Sequence, residues 1–137
     1  MSAKSVRFSA RLPRDVAKSL AAYAKRYRIS TSEAAVRLLD EALRTARHPG
    51  IDFRWTPVGR QAFVTGTGLA VWELWMIWRA HDKDRRRLDK GYPHLTPAQV
   101  GAAIGYAEAY LPEIEQELEG ATSFDAGTHP GVRVVKV

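Results

Sequence analysis

The stretch SVRFSARLP, residues 5–13, decides how the N-terminal third of the chain folds. Apolar and polar side chains alternate along it, and a period of two predicts a half-buried β-strand. The apolar face would hold Val6, Phe8, Ala10 and Leu12, and the polar face Ser5, Arg7, Ser9 and Arg11. Pro13 would end the strand, because proline is well suited to the first position of a helix.

Two helices are predicted directly after this strand. Apolar side chains recur at helical spacing over roughly residues 14–27, which indicates a first helix; they are Val16, Leu20, Tyr23 and Tyr27. Ser30 and Glu33 are three residues apart, the pattern of a capping box, so a second helix is expected to begin there. Its inner face would hold Ala35, Leu38, Leu39 and Ala42, and the stretch HPG at residues 48–50 would end it.

The predicted strand needs a partner, because its backbone donors and acceptors would otherwise stay unpaired. No neighbouring segment has the pattern of a strand, so the simplest partner is the same strand of a second copy, antiparallel across a twofold axis. A segment of this length buries too little surface to fold alone. Residues 1–47 are therefore expected to form a homodimer through the N-terminal strand.

The charge distribution favours nucleic acid as the ligand of this N-terminal segment. Residues 1–47 carry 11 basic and four acidic side chains, whereas residues 96–137 carry two and six. A two-stranded ribbon fits the major groove of DNA, and arginine suits bidentate hydrogen bonding to guanine. The ribbon would present Arg7, Ser9 and Arg11 on one face. Exposed amides at Thr31 and Ser32, at a helix N-terminus, would suit a phosphate.

The stretches RFSARLP at residues 7–13 and ISTSEA at residues 29–34 resemble the ribbon-helix-helix family of bacterial repressors and antitoxins. The resemblance implies that Arg7, Ser9 and Arg11 read bases and that Thr31 and Ser32 contact phosphates. The family often has a glycine where this chain has Arg28, and a left-handed backbone would be strained there. The alternative is that Arg7 and Arg11 are solvated charges that protect an edge strand from aggregation.

Residues 48–119 predict a second, mainly helical domain with a β-hairpin. Ile51, Phe53 and Trp55 alternate, residues 56–60 form a turn, and residues 61–64 return as a strand. A helix is expected from about residue 70 to 81, and a short one within the charged residues 82–90. Thr96 and Pro97 predict the start of another helix. A last acidic helix is expected over about residues 112–119.

Residues 48–118 resemble the family known as domain of unknown function 433. The stretches that carry the resemblance are GRQA at 59–62, GTGLAVWE at 66–73 and YPHLT at 92–96. The resemblance implies a small helix-turn-helix-like fold and a role as the antitoxin partner of PIN-like ribonuclease toxins. The helix after Thr96 has no basic side chain on its non-core face, and phosphates would repel the glutamates that follow. We therefore interpret this domain as protein-binding or structural.

Three segments allow two interpretations each. The apolar helix at 70–81 is either an interface or internal core; the side chains concerned are Trp72, Trp75, Met76 and Trp78. Residues 120–137 predict a flexible tail with a β-prone end, where Val134 and Val135 would join a toxin sheet or the chain's own hairpin. The arginines at 85–87 are either DNA backbone contacts or a solvated face.

Chemical motifs are scarce in the sequence. It contains no cysteine, and its four histidines lack the spacing of metal ligands. Residues 66–68 form a lone Gly-x-Gly without the further residues of a phosphate-binding loop. We expect no catalytic site, cofactor or metal. No apolar stretch is long enough to span a bilayer, and a cytoplasmic location is expected.

These patterns together predict a mainly α protein made of a ribbon-helix-helix module and a small helix-turn-helix-like domain with a hairpin. The expected function is that of an antitoxin in a toxin–antitoxin system, which binds operator DNA, represses its own promoter and neutralises a PIN-like ribonuclease. One alternative is a dimeric transcriptional regulator without a toxin partner. Another is a self-assembly module whose basic N-terminus is incidental.

Overall fold

The structure, a computed structural model, describes residues 5–125, which fall into two compact units. The first unit ends at Ala42 and the second begins at Leu43. The described part contains six helices and one β-hairpin, so the predicted mainly α fold class is confirmed. The division lies five residues before the predicted one at residue 47, inside a helix whose last turn belongs to the second unit.

The first unit contains the helix α1, Arg14–Tyr27, and most of the helix α2, Thr31–Arg47. Both helices were predicted, and α1 has the predicted bounds. Charges at its ends suit the helix dipole, with Asp15 in the first turn and Lys25 and Arg26 in the last. Residues 5–13 have no regular secondary structure in the single chain. The predicted strand requires a second copy and stays a prediction.

The second unit opens with an antiparallel hairpin of β1, Ile51–Thr56, and β2, Gly59–Val64. The pair Ile51–Val64 lies at its open end and Thr56–Gly59 at its turn. This register confirms the predicted hairpin and turns the side chains of Ile51 and Phe53 towards the core. An additional bridge joins Phe63 to Ala70, so the chain that leaves β2 folds back along it.

Four helices complete the second unit: α3, Val71–Ala80; α4, Arg85–Gly91; α5, Pro97–Ala109; and α6, Leu111–Asp125. Local capping fixes two of their starts. Asp84 accepts hydrogen bonds from the first-turn amides of α4. Thr96 accepts one from the amide of Gln99, and the Gln99 side chain accepts one from the amide of Thr96, which is the predicted start of α5.

The core of the second unit lies between the hairpin, α3, α5 and α6. Its fully buried side chains come from every one of these elements and from α4; the largest are Ile51, Val64, Val71, Leu74, Leu88, Val100, Tyr106 and Ile114. Such a core is what allows a domain of this size to fold by itself.

The C-terminal helix is longer than predicted. A flexible tail was expected from residue 120, but α6 continues to Asp125, so the prediction was wrong for residues 120–125. Gly120 lowers helix propensity but does not end the helix, because α6 is already held by packing of its preceding turns on α3 and α5. The β-prone end with Val134 and Val135 lies outside the described residues.

Candidate functional site

The three side chains predicted to read DNA bases are fully accessible. Arg7, Ser9 and Arg11 are all exposed, and they lie on alternate positions of a segment without regular secondary structure that leads directly into α1. Their apolar neighbours are accessible too: Val6 is 88% exposed and Phe8 78%. The sequence pattern predicts that the apolar side of this segment is buried. In the single chain, no described residue covers it.

The N-terminus of α2 has the predicted capping box. The amide of Glu33 donates to Ser30 Oγ at 3.0 Å, and the amide of Ser30 donates to Glu33 Oε1 at 3.3 Å. Ser30 therefore serves as the helix cap. Thr31 and Ser32 follow it at the exposed first turn of α2, where backbone amides have no partner inside a helix.

Arg28 forms the turn between α1 and α2 in a left-handed conformation, with φ 55° and ψ 43°. The amide of Ile29 donates to the carbonyl of Ala24 at 3.0 Å, and that of Arg28 to Lys25 at 3.3 Å. This is the hydrogen-bond pattern of a Schellman motif, in which glycine normally occupies the left-handed position. The turn thus has a left-handed position of the kind that glycine favours, and an arginine occupies it at a steric cost.

The helices of the first unit leave apolar side chains uncovered. Val36 is 68% and Leu39 52% exposed on α2, and Val16 on α1 is 45% exposed. Among the described residues of this unit, only Ala24 and Ala34 are buried hydrophobic side chains. Two alanines cannot supply the apolar burial that keeps a domain folded. The described residues of the first unit therefore bury little apolar surface.

The aromatic helix α3 contributes mainly to the core of its own unit. Trp75 is buried and donates from Nε1 to Glu115 Oε2 at 3.3 Å. Trp72 donates to Gln61 Oε1 at 3.3 Å, and Trp72 and Trp78 pack, half-buried, against the core. Met76 is half-buried. Of the four predicted interface residues, Trp75 lies inside the domain and the other three keep partial exposure.

A polar network fixes the loop between β2 and α3. The Arg54 guanidinium binds Asp52 at 2.7 Å and the carbonyl of Thr67 at 2.8 Å, and Thr65 Oγ1 donates to Asp52 at 2.9 Å. The hydrogen bond from Arg54 is the main cause that lowers the pKa of Asp52. The glycine-threonine loop at residues 66–68 is thereby tied to the hairpin.

Two of the three stretches that carried the second family resemblance, at 66–73 and 92–96, meet at one pocket of about 270 Å³. Its walls are the loop at 66–69 and the segment before and within the start of α5, from which Tyr92, His94, Leu95 and Gln99 contribute. Gln99 Nε2 also donates to the carbonyl of Thr65 at 3.4 Å, which links the two walls. The lining contains no acidic side chain and no lysine or arginine, so the pocket suits an uncharged, largely apolar group.

Sequence reasoning missed a polar cluster around Arg44, in the last turn of α2. Arg44 donates to Tyr106 Oη at 2.8 Å and to both oxygens of Glu113 at 2.9–3.0 Å, and its guanidinium lies 4.0 Å from the centre of the Tyr110 ring. Burial lowers the pKa of Arg44, but the bond to Tyr106 and the charge of Glu113 outweigh it and raise that pKa above its ordinary value.

The acidic side of α6 is less open than the sequence suggested. Glu113 binds Arg44, and Glu115 binds Arg79 at 2.8 Å. Glu117 is half-buried, and burial, together with the nearby charge of Glu113, raises its pKa to about 7. Glu119 alone of these four glutamates is exposed. Most of the carboxylates therefore serve the internal structure of the second unit.

Within residues 5–125, no group of three or more His, Asp or Glu side chains is arranged to hold a metal ion. None of the helices in this part of the chain is long and apolar enough to cross a membrane.

Comparison with known proteins gives one match. A family model described as protein of unknown function (DUF433) matches residues 57–107. The matched span runs from the hairpin turn into α5 and includes all three stretches on which the resemblance was based, so that part of the prediction is supported. No curated protein and no solved structure matches the chain significantly. The match does not reach the first unit, whose ribbon-helix-helix assignment stays a prediction.

Proposed function

We propose that the chain is a homodimeric DNA-binding protein that acts as an antitoxin. In this proposal the first unit dimerises through its N-terminal strand, binds operator DNA and represses its own promoter. The second unit neutralises a PIN-like ribonuclease toxin in the cytoplasm. The protein itself would be no enzyme.

One observation carries the DNA-binding part of the proposal: a fully exposed segment with an apolar and a basic face precedes two helices that cannot form a core alone. Val6, Phe8 and Leu12 are exposed in the single chain. Pairing with the same segment of a second copy would bury them and leave Arg7, Ser9 and Arg11 accessible, because alternate residues of a strand point to opposite faces.

The uncovered side of α2 supports the same dimer. Val36, Leu39 and Leu43 are all more than half exposed and follow one another at helical spacing. An apolar stripe of this kind on a soluble protein marks a surface that another chain covers. A dimer that uses both the strand and this stripe would complete the core that the first unit lacks.

The DNA ligand follows from the chemistry of the exposed side chains. Arginines at positions 7 and 11 are suited to guanine in the major groove, and each good bidentate contact contributes about 1–3 kcal/mol of discrimination. The capped start of α2, with Thr31 and Ser32, would receive a backbone phosphate.

The antitoxin part of the proposal rests on the resemblance of residues 57–107 to the family of unknown function. The proposed toxin-facing surface is the second unit. Its carboxylates are mostly engaged internally, and its pocket at residues 66–69 and 92–99 is uncharged, so an apolar side chain of the toxin would be the natural anchor.

The test of DNA binding is fluorescence anisotropy with the DNA upstream of the gene and with unrelated DNA, over a salt series. Arg11→Ala should lose about 1–3 kcal/mol on the upstream DNA and less on unrelated DNA. Arg47→Ala, which removes an exposed arginine at the far end of α2, is the matched control. Equal binding by wild type and Arg11→Ala would reject the ribbon as a sequence reader.

The test of the antitoxin role is co-expression with a PIN-like protein encoded next to the gene. Co-purification and loss of ribonuclease activity are expected. A second candidate is a regulator without a toxin, in which the open pocket of about 270 Å³ would receive a small ligand. That candidate predicts normal DNA binding in the anisotropy assay and no co-purifying protein partner in the co-expression experiment.

A further inference from the structure

One face of α1 carries a basic stripe that the proposed ribbon does not use. It consists of Arg14, Lys18 and Lys25, all fully exposed. With 3.6 residues per turn, these three positions fall within about 40° of one another around the helix. The positions between them on this face hold Ala21 and Ala22, which are exposed and too small to screen the charges.

The basic stripe lies on the side of α1 opposite to its apolar face. Val16, Leu20, Tyr23 and Ala24 cluster about 180–280° around the helix from Arg14. A dimer that covers the apolar face therefore leaves the stripe accessible.

The charges of the stripe are not neutralised within the described chain. No ion pair or side-chain hydrogen bond between residues 5 and 125 involves Arg14, Lys18 or Lys25. Asp15 is the one acidic residue of α1, and it forms no ion pair there either. Three uncompensated cations on a rigid helix create a local field that attracts a polyanion.

We propose that the basic stripe of α1 binds phosphates of DNA outside the segment that the ribbon reads. From Arg14 to Lys25 the helix rises about 16 Å, a length that lets its three cations reach separate phosphates of the DNA backbone. The protein would thus contact flanking backbone with α1 while the ribbon occupies the major groove. This inference extends the proposed DNA-binding function, since it presupposes that the ribbon places DNA beside the module.

The experiment compares two duplexes that share the upstream site, one limited to about one helical turn and one extended by a turn on each side. The stripe variant is Lys18→Gln/Lys25→Gln. The control, Arg26→Gln/Arg47→Gln, removes the same charge from exposed positions off the stripe. Glutamine keeps helix propensity close to that of lysine and arginine, and circular dichroism checks that all variants fold.

On the long duplex, the stripe variant should show a plot of log K against log salt concentration that is shallower by about 1.8, or 0.9 for each lost phosphate contact. On the short duplex its slope should equal that of wild type. A stripe variant that matches the control on both duplexes would overturn the proposal.

Arg11→Ala separates this inference from the proposed function. If Arg11→Ala loses preference for the upstream site while the stripe variant behaves like wild type, the ribbon reads DNA and the stripe proposal is wrong. If Arg11→Ala binds normally while the stripe variant shows the shallower salt plot on the long duplex, the stripe binds DNA and the ribbon assignment fails.

Discussion

Arg28 holds a backbone conformation that costs a non-glycine residue about 1–2 kcal/mol. Its φ of 55° lets α1 end and α2 begin within three residues, through the two hydrogen bonds of the Schellman motif. Side-chain contacts do not explain the choice of arginine, whose side chain is exposed.

Replacing Arg28 by glycine should stabilise the first unit. Glycine adopts positive φ without a Cβ clash, although part of the gain is offset by its greater freedom in the unfolded chain. The expected gain in unfolding free energy is about 0.5–1 kcal/mol, measured by denaturant unfolding at fixed protein concentration. Arg28→Ala is the control, because it removes the same charge and keeps the Cβ. Equal stability of the glycine and alanine variants would show that the turn is unstrained.

Gly50 is required for space rather than for its backbone angle. A Cβ at this position would lie 2.7 Å from the Cβ of Ala102 on α5, closer than two carbons can approach. Gly50→Ala should therefore cost about 1–3 kcal/mol of the unfolding free energy. The double variant Gly50→Ala/Ala102→Gly should recover part of that loss, because it removes the opposing carbon.

Gly101 is the matched control for Gly50 in the same unit. It lies in the middle of α5 on its exposed face, and a Cβ there would meet no atom within 4 Å. Gly101→Ala should thus stabilise the unit by about 0.5–1 kcal/mol, through helix propensity alone. Thermal unfolding that ranks the two alanine variants in the opposite order would contradict the close approach of residue 50 to α5.

At the scale of elements, the amphipathic helix α6 carries the carboxylate of Glu117 in a half-buried position. Burial raises the pKa of Glu117 to about 7 in the folded state, whereas its ordinary value is 4.5. The folded state therefore favours the protonated form. The contribution of Glu117 to stability is therefore greatest below its ordinary pKa and falls as the pH rises through 7.

Glu117→Gln should consequently stabilise the second unit at pH 8 and change little at pH 5. The glutamine resembles the protonated carboxyl, and after allowance for solvent screening the expected gain at pH 8 is about 1 kcal/mol. Glu119→Gln, one exposed position of the same helix, removes the same charge without relieving burial. A gain for Glu117→Gln that is constant from pH 5 to pH 8 would show that Glu117 is ionised throughout.

Periodicity and capping signals were sufficient to predict most elements. The bounds of α1, the capping boxes at Ser30 and Thr96, and the hairpin at 51–64 all depend on neighbours within a few residues, so the sequence contains them. The extension of α6 past Gly120 could not be predicted in this way, because packing of the whole helix on α3 and α5 determines it.

The sites were predicted less completely than the fold. The strand pattern predicts exposure of Arg7, Ser9 and Arg11. The polar cluster could not be predicted in this way, because Arg44 is more than 60 positions from both Tyr106 and Glu113. Only the three-dimensional fold brings them together. An arginine near the end of α2 gave no sign that it belongs to the second unit. The left-handed pair Asp82 and Lys83 was equally hidden, since no glycine marks it.

For the whole molecule, the two units differ in how they obtain a core. The second unit buries large side chains from the hairpin and four helices. The first unit buries two alanines among its described residues and leaves Val36 and Leu39 more than half exposed. If the core of the first unit forms between two copies, as proposed, that unit cannot be separated from its dimerisation, and its stability should depend on protein concentration.

Thermal unfolding should therefore show two transitions with different concentration dependence. The transition of the first unit should move to higher temperature as protein concentration rises, and that of the second should stay constant, because only the former is coupled to association. Leu39→Asp should place a charge in the dimer core and abolish the first transition while leaving the second. If both transitions are independent of concentration, the first unit folds within one chain, and its exposed apolar stripe serves another partner.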